Sequence, residues 1–203
     1  MIVNDPIEAV MRALDSGVRT QSMADLEEAG CKVQTSGSRG AGASHNEQYS
    51  RVFGHIRRME DERPEQAATL YTLCAPEAEE SNRWIDLMHA RVVELMQQII
   101  TNWSNLRQRK TDRIEWLAFA AIIERRADLD DVKPDWGAER IAFYLAEFHG
   151  VNIPVNQWKR DWEAYWVAAK SALKEAEYQA TDPVYKIIKE ENRKNREFFD
   201  IAA

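Results

Sequence analysis

Apolar residues recur along this chain with the spacing of helices and almost nowhere with the alternation of strands. Ile7, Val10, Met11 and Leu14 share one face of a short segment opened by Asn4, Asp5 and Pro6. That opening is a polar cap followed by a proline in the first turn, where no needed backbone donor is lost. Ser22–Ala29 predicts a second short helix, ended by Gly30. Tyr49, Val52, Phe53 and Ile56 repeat at helical spacing as far as about Glu62, and Pro64 opens a further run through Leu70, Leu73 and Cys74. A long helix is expected from Pro76, with acids in its first turns where the helix dipole favours them. Its stripe is Trp84, Leu87, Met88, Val92, Leu95, Ile99, Trp103 and Leu106. Trp116–Ile123 is a dense apolar helix, and three more are expected at Gly137–His149, Pro154–Tyr178 and Pro183–Ile201. Asp182 and Pro183 supply the start signal of the last. The fold class is therefore all-α, a helical bundle.

The interruptions organise the chain. "TSGSRGAGASHN", Thr35–Asn46, is rich in glycine and serine, buries nothing, and reads as a flexible linker. "RQRKTDR", Arg107–Arg113, places four basic residues and one acid ahead of the apolar helix. "DLDDVKPDWG", Asp128–Gly137, reads as an acidic loop broken by Pro134. Four segments are expected: short helices over 1–34, the linker over 35–46, a bundle with one long helix over 47–127, and a helix-turn-helix with a C-terminal helix over 137–203.

The segment over 138–166 carries the candidate function. In "AERIAFYLAEFHG", Ile141, Ala142, Leu145 and Phe148 should face inward, and Gly150 can take the left-handed conformation that stops a helix. Val151 and Ile153 can pin the corner before Pro154 begins the next helix. Helix, glycine turn and helix form the layout of a helix-turn-helix. On the second helix Trp158, Trp162, Trp166 and Ala169 recur nearly every fourth residue and should pack inward. Asn156, Gln157, Lys159, Arg160 and Glu163 fall mostly outside that stripe. Asn and Gln can pair bidentately with adenine, and Arg or Lys with guanine, so Asn156, Gln157, Lys159 and Arg160 are the candidate base readers. Small residues at Ala142 or Ala146 would permit close helix crossing. A helical hairpin serving only to pack, or a protein-docking face, shows the same stops and starts, and both remain open.

Charge narrows this picture. The net charge of -7 argues against a protein that coats nucleic acid through a broad basic surface. Residues 1–100 hold 10 Lys/Arg against 16 Asp/Glu, whereas 101–203 hold 17 against 18, so the acidic excess is mostly N-terminal. A local basic edge is all that a sequence-specific reader requires. Arg107, Arg109 and Lys110 are the candidate phosphate contacts, and the C-terminal "KEENRKNREFF" is a second, acid-balanced candidate.

Other chemistries find no footing. His45, His55, His89 and His149 are scattered without HExxH, HxH or partner cysteines, so no metal site is expected. "SGSRGAGAS" is not a phosphate loop, no GxSxG occurs, and neither Cys31 nor Cys74 has a nucleophile's setting. The expectation is a protein with no cofactor and no catalytic residue, not an enzyme. The longest apolar runs, such as Trp116–Ile123, are far too short to cross a bilayer, and no signal-peptide layout opens the chain, so a cytoplasmic protein with no membrane partner is expected.

"ERIAFYLAEFHGVNIPVNQWKRDWEAYW" resembles the helix-turn-helix of sigma-factor region 4, and "YSRVFGHIRRMEDERPEQAATLYTLCAP" is similar to the paired helices ahead of that motif in phage late-gene antitermination proteins of the Q type. The resemblance covers about half of the chain. It implies a phage-encoded, DNA-binding transcription regulator, with double-stranded DNA and RNA polymerase as partners and antitermination as the outcome. A monomer or dimer goes with that reading. A small terminase-like packaging protein, or a helical module that binds a host protein, is the alternative.

Overall fold

The computed structural model describes residues 3–14, 39–75, 81–129 and 136–202, with side chains over 3–14, 49–75, 83–129 and 136–197. The candidate helix Ser22–Ala29, Cys31 and the first part of the expected linker lie outside these residues. Every regular element among them is helical, so the fold is all-α. The helices are α1 (Pro6–Leu14), α2 (Arg39–Glu62), α3 (Pro64–Cys74), α4 (Ser81–Ile99), α5 (Gln108–Leu129), α6 (Ala138–His149), α7 (Trp158–Asp161) and α8 (Glu163–Ala202). Short 3-10 turns occupy Trp103–Asn105 and Val155–Gln157. None of the described helices is long and apolar enough to cross a membrane.

The chain divides into two compact units, one of residues 1–62 with 181–203 and the other of 63–180. This division cuts across the segments read from the sequence, because α2 and the end of α8 belong together. In the first unit α1 packs on α2. The Asp5 carboxylate accepts the Glu8 backbone N–H at 2.9 Å, the cap expected from the sequence. Ile7, Ala9 and Val10 are buried on one side, and Tyr49, Val52, Ile56 and Met59 on the other. Phe53, expected in that stripe, is 45% exposed, and Met59 continues the seam instead. From α8, Val184, Ile188 and Asn192 are buried, the Asn192 amide donates to Asn4 Oδ1 at 3.2 Å, and Arg51 pairs with Glu190 and Glu191.

Two helix boundaries differ from expectation. Arg39–Asn46, read as linker, is helical in α2; once a helix is nucleated, each further residue is fixed at the gain of one hydrogen bond. Asp182–Pro183 does not start a helix, because Pro183 lies inside α8. Asp182 instead holds Lys186 at 2.6 Å. Proline there removes one intrahelical donor without ending the helix.

The second unit holds the candidate site. Ala67, Ala68, Leu70 and Leu73 of α3 are buried, and Tyr71 stacks on Trp84 of α4 with ring centroids 4.9 Å apart. Trp84, Met88, Val92, Val93, Leu95 and Met96 form the buried stripe of α4. The expected continuation to Leu106 is corrected: α4 ends at Ile99, which is 46% exposed, and Trp103 and Leu106 belong to a 3-10 turn and its exit. His89 Nε2 lies 2.8 Å from the Glu115 carbonyl, tying α4 to α5. Ile114, Leu117, Ala118, Ala121 and Ile122 bury the inner face of α5, which extends to Leu129 and so absorbs Asp128 from the expected loop. The end of that loop is not solvated either. Trp136 is buried, and its backbone N–H donates to the buried Glu124 carboxylate at 2.8 Å. Lys170 of α8 approaches the same carboxylate at 3.3 Å.

Candidate nucleic-acid interface

Helix α6 ends as the sequence predicts. Gly150 has φ +67°, and its N–H and that of Val151 satisfy the Ala146 and Leu145 carbonyls. The left-handed residue turns the chain into an extended connector, where Ile153 is buried and Val151 half-buried. Ile141, Ala142 and Leu145 face inward, but Phe148 is 69% exposed and Ala146 is exposed too. The inward face of a twelve-residue helix is narrow. The Leu145 position takes the contact, and Phe148 meets the Tyr144 ring at 5.2 Å on the outer side.

The second half of the motif is not one straight helix from Pro154. Pro154 is extended, Val155–Gln157 make a 3-10 turn, Trp158–Asp161 make one α turn, and Trp162 breaks the regular geometry at φ -129° before α8 begins. The tryptophan stripe nevertheless forms: Trp158, Trp162, Trp166 and Ala169 are all buried, and Trp158 and Trp166 rings lie 6.4 Å apart. A 3-10 turn and an α turn bring residues three or four apart to one side, so the spacing survives the irregular backbone. The indole N–H of Trp162 is buried without an acceptor among the described residues.

Asn156, Gln157, Lys159 and Arg160 are exposed on the opposite edge of these turns. Arg160 is not free: its Nε and Nη2 each donate to the Asp161 carboxylate at 2.9 Å. That fork holds the Arg160 guanidinium above its ordinary value and, with a smaller contribution from the charge of Lys110, the Asp161 carboxyl below its own.

The start of α5 lies against the aromatic side of this segment, at Trp162 and Tyr165. Lys110 is half-buried, with its ammonium 4.7 Å from the centre of the Tyr165 ring and 5.7 Å from that of Trp162. Arg113 covers the same Trp162 ring at 5.9 Å. A groove of about 290 Å³ opens between Arg109, Asp112, Arg113 and Trp116 of α5 and the turn at Gly150, Val151 and Asn152. The structure thus gathers Arg109 and Lys110 beside the motif. It does not bring Arg107 into the groove: this exposed residue precedes α5, and its carbonyl receives the N–H groups of Lys110 and Thr111. Asn156, Gln157, Lys159 and Arg160 do not line the groove.

Sequence reasoning missed Arg113, Trp116 and Asn152. Arg113 was legible as the residue one turn beyond Arg109, on the same helix face. Trp116 forms the back wall, where the His149 ring lies 4.4 Å away and tilted 30°, with Phe119 edge-on to both. Desolvation in this aromatic nest lowers the His149 pKa below its ordinary value. The C-terminal basic residues behave differently. Lys186, Arg193 and Lys194 pair with acids one turn away, which leaves less charge for a phosphate.

Among the described residues, no three His, Cys, Asp or Glu side chains are grouped so that they could hold a metal ion. Comparison of the chain with protein-family models, curated proteins and solved structures finds no match, so the functional reading stands on geometry.

Proposed function

We propose that the chain is a DNA-binding transcription regulator. The observation that carries this reading is the approach of Lys110 and Arg113 on α5 to Trp162 and Tyr165, which packs a basic helix start against the segment whose other edge exposes amides and cations. Phosphate contacts fix register and orientation on a duplex, and base-edge contacts supply sequence information. Arg109 and Lys110 suit the first role, and Asn156, Gln157, Lys159 and Arg160 the second. The stretch that would enter a groove is short, a 3-10 turn and one α turn over 155–161. Base reading in this proposal therefore comes from a compact knuckle, not from the face of a long recognition helix.

The resemblance to Q-type antitermination proteins supports a phage-encoded regulator that acts on RNA polymerase once DNA is bound. No chemical step enters the proposal. A double substitution, Lys159→Ala with Arg160→Ala, tests it in an anisotropy titration against duplexes recovered by genomic-fragment selection. The expected result is weakened specific binding with unchanged helicity; equal affinity for both proteins removes these residues from the reading surface. A packaging protein is separated by light scattering, which would find a ring of many subunits. A host-protein-binding module would show no salt-dependent DNA binding.

A further inference from the structure

The groove beside Gly150 has features that the regulator reading does not require. Its volume, about 290 Å³, falls at the lower edge of small-molecule sites, which run from about 300 to 1,000 Å³. That size suits one nucleotide-sized group. Arg109 and Arg113 stand one helical turn apart on its α5 wall and make no ion pair among the described residues. The single acid in the wall, Asp112, has one oxygen occupied by the Gln108 amide at 2.7 Å. Across the groove, Asn152 is exposed, and a Cβ built on Gly150 would meet nothing within 4 Å, so a ligand can approach the backbone there. Arg109 lies in the first turn of α5, so the positive end of the helix dipole adds to the two guanidinium charges at that end of the groove.

We propose that this groove is a phosphate site that takes the phosphate of a single nucleotide unit. Arg109 and Arg113 supply guanidinium donors to its oxygens, Asn152 lies on the facing wall, and Trp116 closes the back. Two sources offer the same chemistry, a phosphodiester of bound DNA and the phosphate of a free nucleotide. For the DNA source the proposal rests on the regulator reading above.

The test uses the full chain and three variants, Asn152→Asp, Arg109→Gln and Arg113→Lys. Asn152→Asp puts a carboxylate into the groove at an exposed turn, and Arg113→Lys keeps the charge over Trp162 while removing the fork; circular dichroism checks that each folds. Duplex DNA is titrated by anisotropy, and inorganic phosphate and adenosine monophosphate by the amide shifts of Gly150, Val151 and Asn152. The expected result is duplex binding that Asn152→Asp and Arg109→Gln each weaken about tenfold, Arg109→Gln also lowering the log–log salt slope by about one. The DNA source is then established. If the duplex binds and these variants leave affinity unchanged while Lys159→Ala with Arg160→Ala weakens it, the groove is overturned and the regulator reading stands on its base-reading edge, without Arg109 as a phosphate contact. If no duplex binds but the nucleotide moves the three amides and Asn152→Asp abolishes the shift, the groove stands with the free nucleotide as its source, and the DNA reading falls. If neither ligand is bound, both are overturned.

Discussion

The Lys110 ammonium lies 4.7 Å from the centre of the Tyr165 ring, across the junction between the start of α5 and the start of α8. A half-buried cation over an aromatic face contributes roughly 0.5–2 kcal/mol, depending on how far it is desolvated. The same contact fixes a positive charge where the proposed interface needs one.

Replacing Lys110 with Met keeps the aliphatic stem and removes the charge. Stability should fall by about 1 kcal/mol in urea unfolding, and DNA affinity should fall with a shallower salt dependence. Loss of stability alone would leave Lys110 a packing residue.

Asp161 occupies the Nε–Nη2 edge of the Arg160 guanidinium. Asp161→Asn releases the guanidinium and removes a negative charge from the exposed edge. The expected outcome is a gain in DNA affinity of about two- to fivefold at low salt, shrinking as salt rises. Anisotropy at two salt concentrations measures it.

Trp162 separates packing from polarity. Its ring is buried, yet its indole N–H has no acceptor among the described residues. Trp162→Phe keeps most of the packing and discards an unsatisfied donor, so it should cost less than about 1.5 kcal/mol. Trp162→Ala should cost about 3–5 kcal/mol. A loss for Trp162→Phe in urea unfolding clearly above about 1.5 kcal/mol would show that the indole nitrogen is bonded.

His149 gives a pH dependence of definite sign. Burial among Trp116, Phe119 and Tyr144 lowers its folded pKa below the ordinary 6.5. The unfolded chain therefore binds more protons in the window between the two values, and stability rises with pH through it. This contribution is complete above the unfolded value and is lost as pH falls through the folded one. Urea midpoints between about pH 5 and pH 8 should flatten in His149→Phe relative to the parent protein.

Pro183 sits inside α8 and leaves the Gln179 carbonyl without its usual donor. Pro183→Ala supplies that donor and should raise stability by about 1–3 kcal/mol, seen as a higher melting temperature.

What the sequence made legible was the part that depends on period and on single-residue backbone preference. The spacing of Trp158, Trp162 and Trp166 announced their burial, and Gly150 announced the left-handed stop. Hydrophobic period cannot distinguish a 3-10 turn from an α turn over seven residues, so the irregular stretch from Val155 to Asp161 read as one helix. Nor does period reveal how wide a buried face is, which is why Phe53 and Phe148 were placed inside. Asp182-Pro183 is a true start signal in isolation, but here Asp182 pairs forward with Lys186 and the helix runs through. The groove was invisible for another reason: Arg109 and Asn152 are 43 residues apart, and only the packing of α5 against α6 makes them neighbours.

The placement of two cations over the Trp162 indole also has an optical consequence. A fixed positive charge beside an indole shifts its excited-state energy, and an anion arriving near Lys110 and Arg113 would partly cancel that field. Emission from this corner of the molecule therefore reports on the charge state of the proposed interface without any added label. Subtracting the spectrum of Trp162→Phe isolates that report from the signals of the other six tryptophans.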